Sequence, residues 1–199
     1  MKIMPKNWPP EYDAKFLPEH NSPFWDRKLE TMDPRERAET VILPKLQAQL
    51  HYAYRHSPFY RNKWDSAGVT PEDIQSLADF EKIPFVTKEE IREDQLKHPP
   101  FGSNLCISKD EIASVHGTSG TTGKPTAFGI SQGDMERIGE AHARIMWGFG
   151  IRPDDTVFIG SFFSLYLGSW GALAGVRRLG AAAFPFGAGV PGQTERAIE

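Results

Sequence analysis

Over the first hundred residues, apolar positions recur at helical spacing in short segments opened by capping residues. Asp33-Pro34-Arg35-Glu36 reads as a helix start, with Asp33 as N-cap, proline at the first helical position and Glu36 closing a capping box. That helix is predicted to reach about Arg55, kinked or broken at Pro44, with Leu43, Leu46, Leu50, Ala53 and Tyr54 as its apolar stripe. Ser57-Pro58 starts a second helix that carries Phe59, Tyr60 and Trp64 and ends before Gly68. Thr70-Pro71-Glu72-Asp73 starts a third, and Thr87-Lys88-Glu89-Glu90 a fourth after the break at Pro84. Residues 1–30 have aromatics (Trp8, Tyr12, Phe16, Phe24, Trp25) and prolines but no period, which predicts an irregular arm packing its rings onto the body. Pro99-Pro100-Phe101-Gly102 closes this mostly helical region with a turn.

The pattern then changes. Glu111–His116 is predicted to be a short strand and Thr126–Ile130 another, with a Gly-rich loop between them. Ser131 caps a helix whose apolar positions are Met135, Ile138, His142, Ile145, Met146 and Phe149, at a 3.6-residue period, and Gly150 ends it. Thr156–Gly160 reads as a buried strand, Leu165–Leu179 as a helix stopped by Gly180, and Ala181–Pro185 as the next strand. Strand, helix, strand at this spacing predicts a parallel pair with a right-handed crossover. The fold class is α/β: residues 1–100 mostly helical, residues 101–199 a β/α portion. Gln193–Glu199 reads as the first turns of a further helix, so the chain is expected to be a fragment.

Composition narrows the partners. A net charge of −3 and pI near 6.1 give no electrostatic footprint for nucleic acid. No apolar run approaches the length of a membrane span, and the N-terminus has no apolar signal-peptide core, so a cytoplasmic location is the expectation. Cys106, the single cysteine, excludes an internal disulfide framework and reads as an inert thiol.

The chemistry gathers in His116-Gly117-Thr118-Ser119-Gly120-Thr121-Thr122-Gly123-Lys124-Pro125-Thr126. Glycines at three-residue spacing let successive backbone N–H groups converge on an anion. The interleaved hydroxyls add donors, and Lys124 adds a mobile cation suited to phosphate. A solvated surface loop is the plain alternative, but the donor density and terminal lysine favour a polyphosphate cradle. Two better-known templates fail on spacing. The P-loop needs four residues between its first glycine and the Gly-Lys pair, whereas Gly117 stands too far from Gly123 and Pro125 follows the lysine. The dinucleotide fingerprint fails because the loop's spacing is Gly117-x-x-Gly120-x-x-Gly123, with no G-x-G in it.

The loop matches the motif of adenylate-forming enzymes, and its flanks are more specific. Ser57-Pro58-Phe59-Tyr60-Arg61, Ala67-Gly68-Val69, Leu77-Ala78-Asp79, Ile83-Pro84-Phe85 and Thr87-Lys88 precede it in order, and Arg178-Leu179-Gly180-Ala181 and Gln193-Thr194-Glu195-Arg196 follow. From about Phe24 to its end, the chain resembles the phenylacetate–CoA ligase family of the adenylate-forming, acyl-CoA synthetase-like superfamily. The resemblance implies a helical N-terminal region followed by the start of that superfamily's β/α large domain. It also implies a two-step reaction using ATP, Mg²⁺, a small-molecule carboxylic acid and coenzyme A. An acyl-adenylate forms first, and the thiol of coenzyme A then displaces AMP. In that reading Thr118, Ser119, Gly120, Thr121, Thr122, Gly123 and Lys124 hold the β- and γ-phosphates.

The family lines its acyl pocket where this chain has Ser161–Trp170. Phe163, Leu165, Tyr166 and Gly168 keep the expected character, and Phe163, Tyr166 and Gly168 are implied as substrate-binding candidates, while Ser164, Leu167 and Ser169 depart from the usual form. On residue type alone this aromatic cluster suits core as well as pocket. His116, also implied as substrate-binding, could meet the acyl carboxylate or the phosphates, or be satisfied by backbone. The acid itself is unassigned. The family's magnesium-binding Glu, ribose-binding Asp and C-terminal-domain Lys have no counterpart here. No metal ligand is therefore assigned, catalytic residues are expected beyond Glu199, and the chain alone is expected to be inactive. A homodimer is left open. Two other readings also stand: an adenylyltransferase of the same fold that modifies a cofactor or carrier protein without coenzyme A, and a non-catalytic binding module.

Overall fold

The computed structural model describes residues 8–118 and 125–187. The chain divides into two compact units: residues 1–11, 31–112 and 126–129 form one, and residues 12–30, 113–125 and 130–199 the other.

In the first unit, Asp33 caps α2 (Pro34–Arg37) by accepting from the N–H groups of Arg35 and Glu36. A short α1 (Arg27–Glu30), in the second unit, precedes it in the chain. The break expected at Pro44 takes a definite form. Residues Ala38–Ile42 make a π-helical turn, and the Leu43 N–H bonds to the Ala38 carbonyl before α3 (Leu43–His56) begins. The wider turn eases the clash between the proline ring and the carbonyl four residues back, so the axis continues. Ser57 Oγ accepts from the Tyr60 N–H at the start of α4 (Pro58–Ser66). Leu50, Ala53, Trp64 and Ile74 form the core of this unit.

The third predicted helix is only a 3₁₀ turn, Pro71–Asp73, although its capping box is present. The carboxylate of Asp73 turns back to the Thr70 N–H, and Ile74 leaves helical geometry to bury itself completely. Thr87 and Glu90 form the expected capping box of α5 (Lys88–Lys97). Asp94 of α5 is buried and accepts from both the N–H and the hydroxyl of Ser103, tying the turn after the helix back onto it.

Strands β1 (Ile112–Gly117) and β2 (Ala127–Ser131) form one two-stranded sheet. Helix α6 (Gln132–Gly148) follows directly, capped by Ser131 and Asp134. Then come β3 (Thr156–Phe158), α7 (Leu167–Leu179) and β4 (Ala182–Phe184). β3 and β4 are parallel, with Thr156 opposite Ala182 and Phe158 opposite Phe184, as the spacing predicted.

The buried face of α6 differs from the expected stripe. Gly139, Glu140, Ala143 and Trp147 are buried, whereas Ile145 is 56% and Phe149 82% exposed. Helix packing at close range explains the offset. A Cβ on Gly175 of α7 would lie 2.4 Å from His142 Cβ, so α6 and α7 approach almost backbone to backbone. Small residues make that approach possible, and hydrophobicity does not mark them. Val176 and Leu179 of α7 are fully buried, and Ile159, Leu173 and Val176 form a core patch against which Phe163 packs.

The arm expected at residues 1–30 is anchored within the second unit from Asp13 to Trp25. Trp25 is 3% exposed and packs edge-on to Trp147. Its Nε1 donates to Glu140 at 2.9 Å, and Trp147 Nε1 donates to the Ser22 carbonyl.

Candidate functional site

β1 alternates as a half-buried strand should. Ser114 and His116 point inward and Val115 outward, at 44% exposure. His116 is 6% exposed. Its Nε2 lies 3.1 Å from Ser114 Oγ, and its Nδ1 has no hydrogen-bond partner among the described residues. The next residue, Gly117, donates its N–H to the Leu165 carbonyl at 2.9 Å and so fastens the strand end to the aromatic segment before α7.

That segment is internally braced. Ser169, buried at the start of α7, donates to the Phe162 carbonyl at 2.8 Å, and Tyr166 N–H donates to Ser164 Oγ. Trp170 Nε1 donates to the Ser164 carbonyl at 2.8 Å. The Trp170 ring stands edge-on to His116 at 6.5 Å and to Phe163 at 5.1 Å, linking the strand-end histidine to the aromatic cluster. Gly168 has no side chain because the Tyr166 ring lies across it; a Cβ there would sit 2.2 Å from Tyr166 Cε1. Phe163 packs on the core, whereas Tyr166 is 54% exposed. The two readings of the cluster therefore divide by residue: Phe163 is largely structural, and Tyr166, Leu165, Phe162 and Trp170 are exposed, with the Trp170 ring next to His116.

Of the phosphate-loop candidates, Thr118 is half-buried at the end of β1. Ser119, Gly120, Thr121, Thr122, Gly123 and Lys124 lie outside the described residues, as does the helix expected at Gln193–Glu199. Among the described residues no three His, Cys, Asp or Glu side chains come together to hold a metal ion. No helix among them is long and apolar enough to cross a membrane. A groove of about 560 Å³ in the first unit is lined by residues such as Phe59, Lys63, Glu90 and His98, and by none of the candidates.

No family model matches the chain. It is 36% identical over 170 residues to phenylacetate-coenzyme A ligase of Escherichia coli strain K12, covering 83% of this chain and 37% of that one. It is 35% identical over 175 residues to the enzyme of that name from Thermus thermophilus, covering 88% of this chain and 37% of the other. The chain belongs to the phenylacetate–CoA ligase family. Among solved structures, 2-hydroxyisobutyryl-CoA ligase in complex with 2-HIB-AMP and CoA matches at 54% identity and a TM-score of 0.90, over 96% of this chain and 40% of that one. The helical region and the β/α portion thus correspond to the N-terminal part of an adenylate-forming CoA ligase, and the chain spans about two fifths of the length of these relatives.

Sequence reasoning picked out His116, Phe163, Tyr166 and Gly168 but missed the groups that hold them. Ser114 was signalled only by standing two residues before His116 on an alternating strand. Trp170 carried no local signal. Its role comes from a ring contact across 54 positions of sequence, and no periodicity encodes that.

Proposed function

We propose that this chain is the phosphate-loop portion of an ATP-dependent acyl-CoA ligase. One observation carries the reading: a donor-rich loop with the spacing of the adenylate-forming motif follows a strand whose last residues are pinned to an aromatic acyl-side segment. Identity of 54% to a ligase solved with an acyl-adenylate and CoA supports it.

The chemistry assigned is as follows. The N–H groups of the loop, its hydroxyls and Lys124 hold the β- and γ-phosphates of ATP, leaving the α-phosphorus open to attack. A carboxylate oxygen of the acid bonds to that phosphorus, and pyrophosphate leaves with the electrons of the broken P–O bond. The thiol of coenzyme A then bonds to the acyl carbon, AMP departs, and the thiol proton is lost. Charge stabilisation and positioning, rather than covalent catalysis, are what such a loop can supply. His116, Tyr166 and Gly168 are assigned to the acyl side, with Phe163 as their support.

The test is a carboxylic acid screen on the full-length enzyme, reading pyrophosphate release with and without coenzyme A. Acid-dependent release together with thioester formation is expected. Release without consumption of coenzyme A would replace this reading with adenylyl transfer to another acceptor.

A further inference from the structure

The segment between β3 and α7 is irregular, yet its backbone is pinned from both β1 and α7. The carbonyls of Phe162, Ser164 and Leu165 accept from Ser169 Oγ at 2.8 Å, Trp170 Nε1 at 2.8 Å and the Gly117 N–H at 2.9 Å. Tyr166 N–H donates to Ser164 Oγ, and the Tyr166 ring lies across Gly168. Loop carbonyls at a surface ordinarily turn to water, so this density of protein donors fixes a shape that solvation alone would leave free. Phe163 is turned onto the core, while Phe162, Leu165 and Tyr166 remain exposed. The segment is thus a rigid backbone carrying outward apolar side chains. Two of the pinning residues, Ser164 and Ser169, stand where the chain departs from the family's usual form.

We propose that Ser164, Ser169 and Trp170 are positioning residues that hold residues 162–166 in one shape and thereby set how narrowly the enzyme selects its acid. The inference rests on the ligase reading given above, which assigns this segment to the acyl side, and it concerns selectivity at that same site. The physical reason is preorganisation. A fixed apolar surface meets one acyl shape without further ordering and does not yield to another. A loose segment loses freedom when any acid binds, so the fitted acid is held less well, but it re-forms around a misfit. The donors are themselves held in place. Ser169 is buried in the first turn of α7, and the Trp170 ring stands edge-on to both His116 and Phe163. All three act on the backbone of the segment, so none of them needs to touch the acid.

The experiment measures kcat and KM of the full-length enzyme for acetate, isobutyrate, benzoate and phenylacetate, together with KM for ATP, by pyrophosphate release. Ser169→Ala removes only the hydroxyl, and Trp170→Phe keeps a ring but loses the indole donor. In the double variant the spread of kcat/KM across the acids should narrow by on the order of tenfold, while KM for ATP changes less than about twofold. The narrowing should come from a raised KM for the best acid and lowered KM values for the poorer ones. Each single variant should give part of that change. Ser164→Ala, which leaves the bond from Trp170 in place, should give the smallest. Equal losses on every acid with a matching rise in KM for ATP would make the braces structural only and overturn the proposal. If the double variant does not fold, the single variants decide on the same criterion. An unchanged spread in folded variants would overturn it outright, as would a wild type that takes every acid equally well. No turnover of any acid by the wild type would overturn the ligase reading itself, and this inference with it.

Discussion

At the scale of single residues, Glu140 is a buried carboxylate on which several contacts of the second unit converge. Its carboxylate is 4% exposed and receives Trp25 Nε1 and Arg144 Nε, while Arg178 Nε stands 2.8 Å away. The Arg178 contact is Coulombic rather than an aligned hydrogen bond, since among the described residues neither Glu140 Oε2 nor Arg178 Nε has a hydrogen-bond partner. Arg178 also lies over the Trp25 ring and donates to the Asp13 carbonyl, so one buried acid organises the whole arm from Asp13 to Trp25. Removing it leaves a guanidinium that is only 10% exposed without its counter-charge. Glu140→Ala should therefore cost about 3–5 kcal/mol, measured by urea unfolding. A loss below about 1 kcal/mol would mean that water pairs with Arg178 freely.

At the scale of elements, caps and close crossings decide stability. Ser131 and Asp134 cap α6 reciprocally, and Ser131→Ala should cost about 1 kcal/mol. Burial pushes the Asp134 carboxyl up, but Arg137 and Ser131 outweigh it and hold the group below its ordinary value. The sign follows from linkage. A depressed folded-state value contributes stability that is present above the unfolded value of about 4 and is lost as pH falls through the folded one. Melting temperature should fall on acidification from about pH 4, and less steeply in Ser131→Ala. Two glycines of the packed helices α6 and α7 should respond in opposite directions. Gly175→Ala meets His142 Cβ at 2.4 Å and the backbone nitrogen of Ala143 at 3.2 Å, so it should destabilise by about 1–3 kcal/mol. Gly148→Ala meets nothing within 4 Å and should stabilise by roughly 0.5–1 kcal/mol through helix propensity. Thermal melts of the pair separate packing from propensity.

At the scale of the whole molecule, the 37% and 40% coverage of relatives sets what the chain can be asked to do. On the ligase reading proposed above, the 199-residue polypeptide alone is expected to form no acyl-adenylate, whereas the full-length enzyme should. Acyl-adenylate formation by this chain alone would refute that. In the full-length enzyme, Lys124→Ala and Thr121→Ala should each weaken ATP use by about 1.5–3 kcal/mol, the scale of a charge-assisted contact. Unchanged kinetics for ATP in both variants would remove the loop from phosphate binding.

The sequence by itself determined the order of elements, the caps at Asp33, Ser57, Thr87 and Ser131, and the parallel β3–β4 pair. These are local facts: cap chemistry, period and glycine spacing act within a few residues of one another. Tertiary structure alone decided the rest. It reduced the third helix to one 3₁₀ turn because Ile74 had to reach the core. It turned α6 so that Gly139, Glu140, Ala143 and Trp147 face inward instead of Ile145 and Phe149. It set Trp170 against His116. Each of these depends on contacts between segments far apart in the chain, where close approach and charge pairing outweigh the hydrophobicity of any single position.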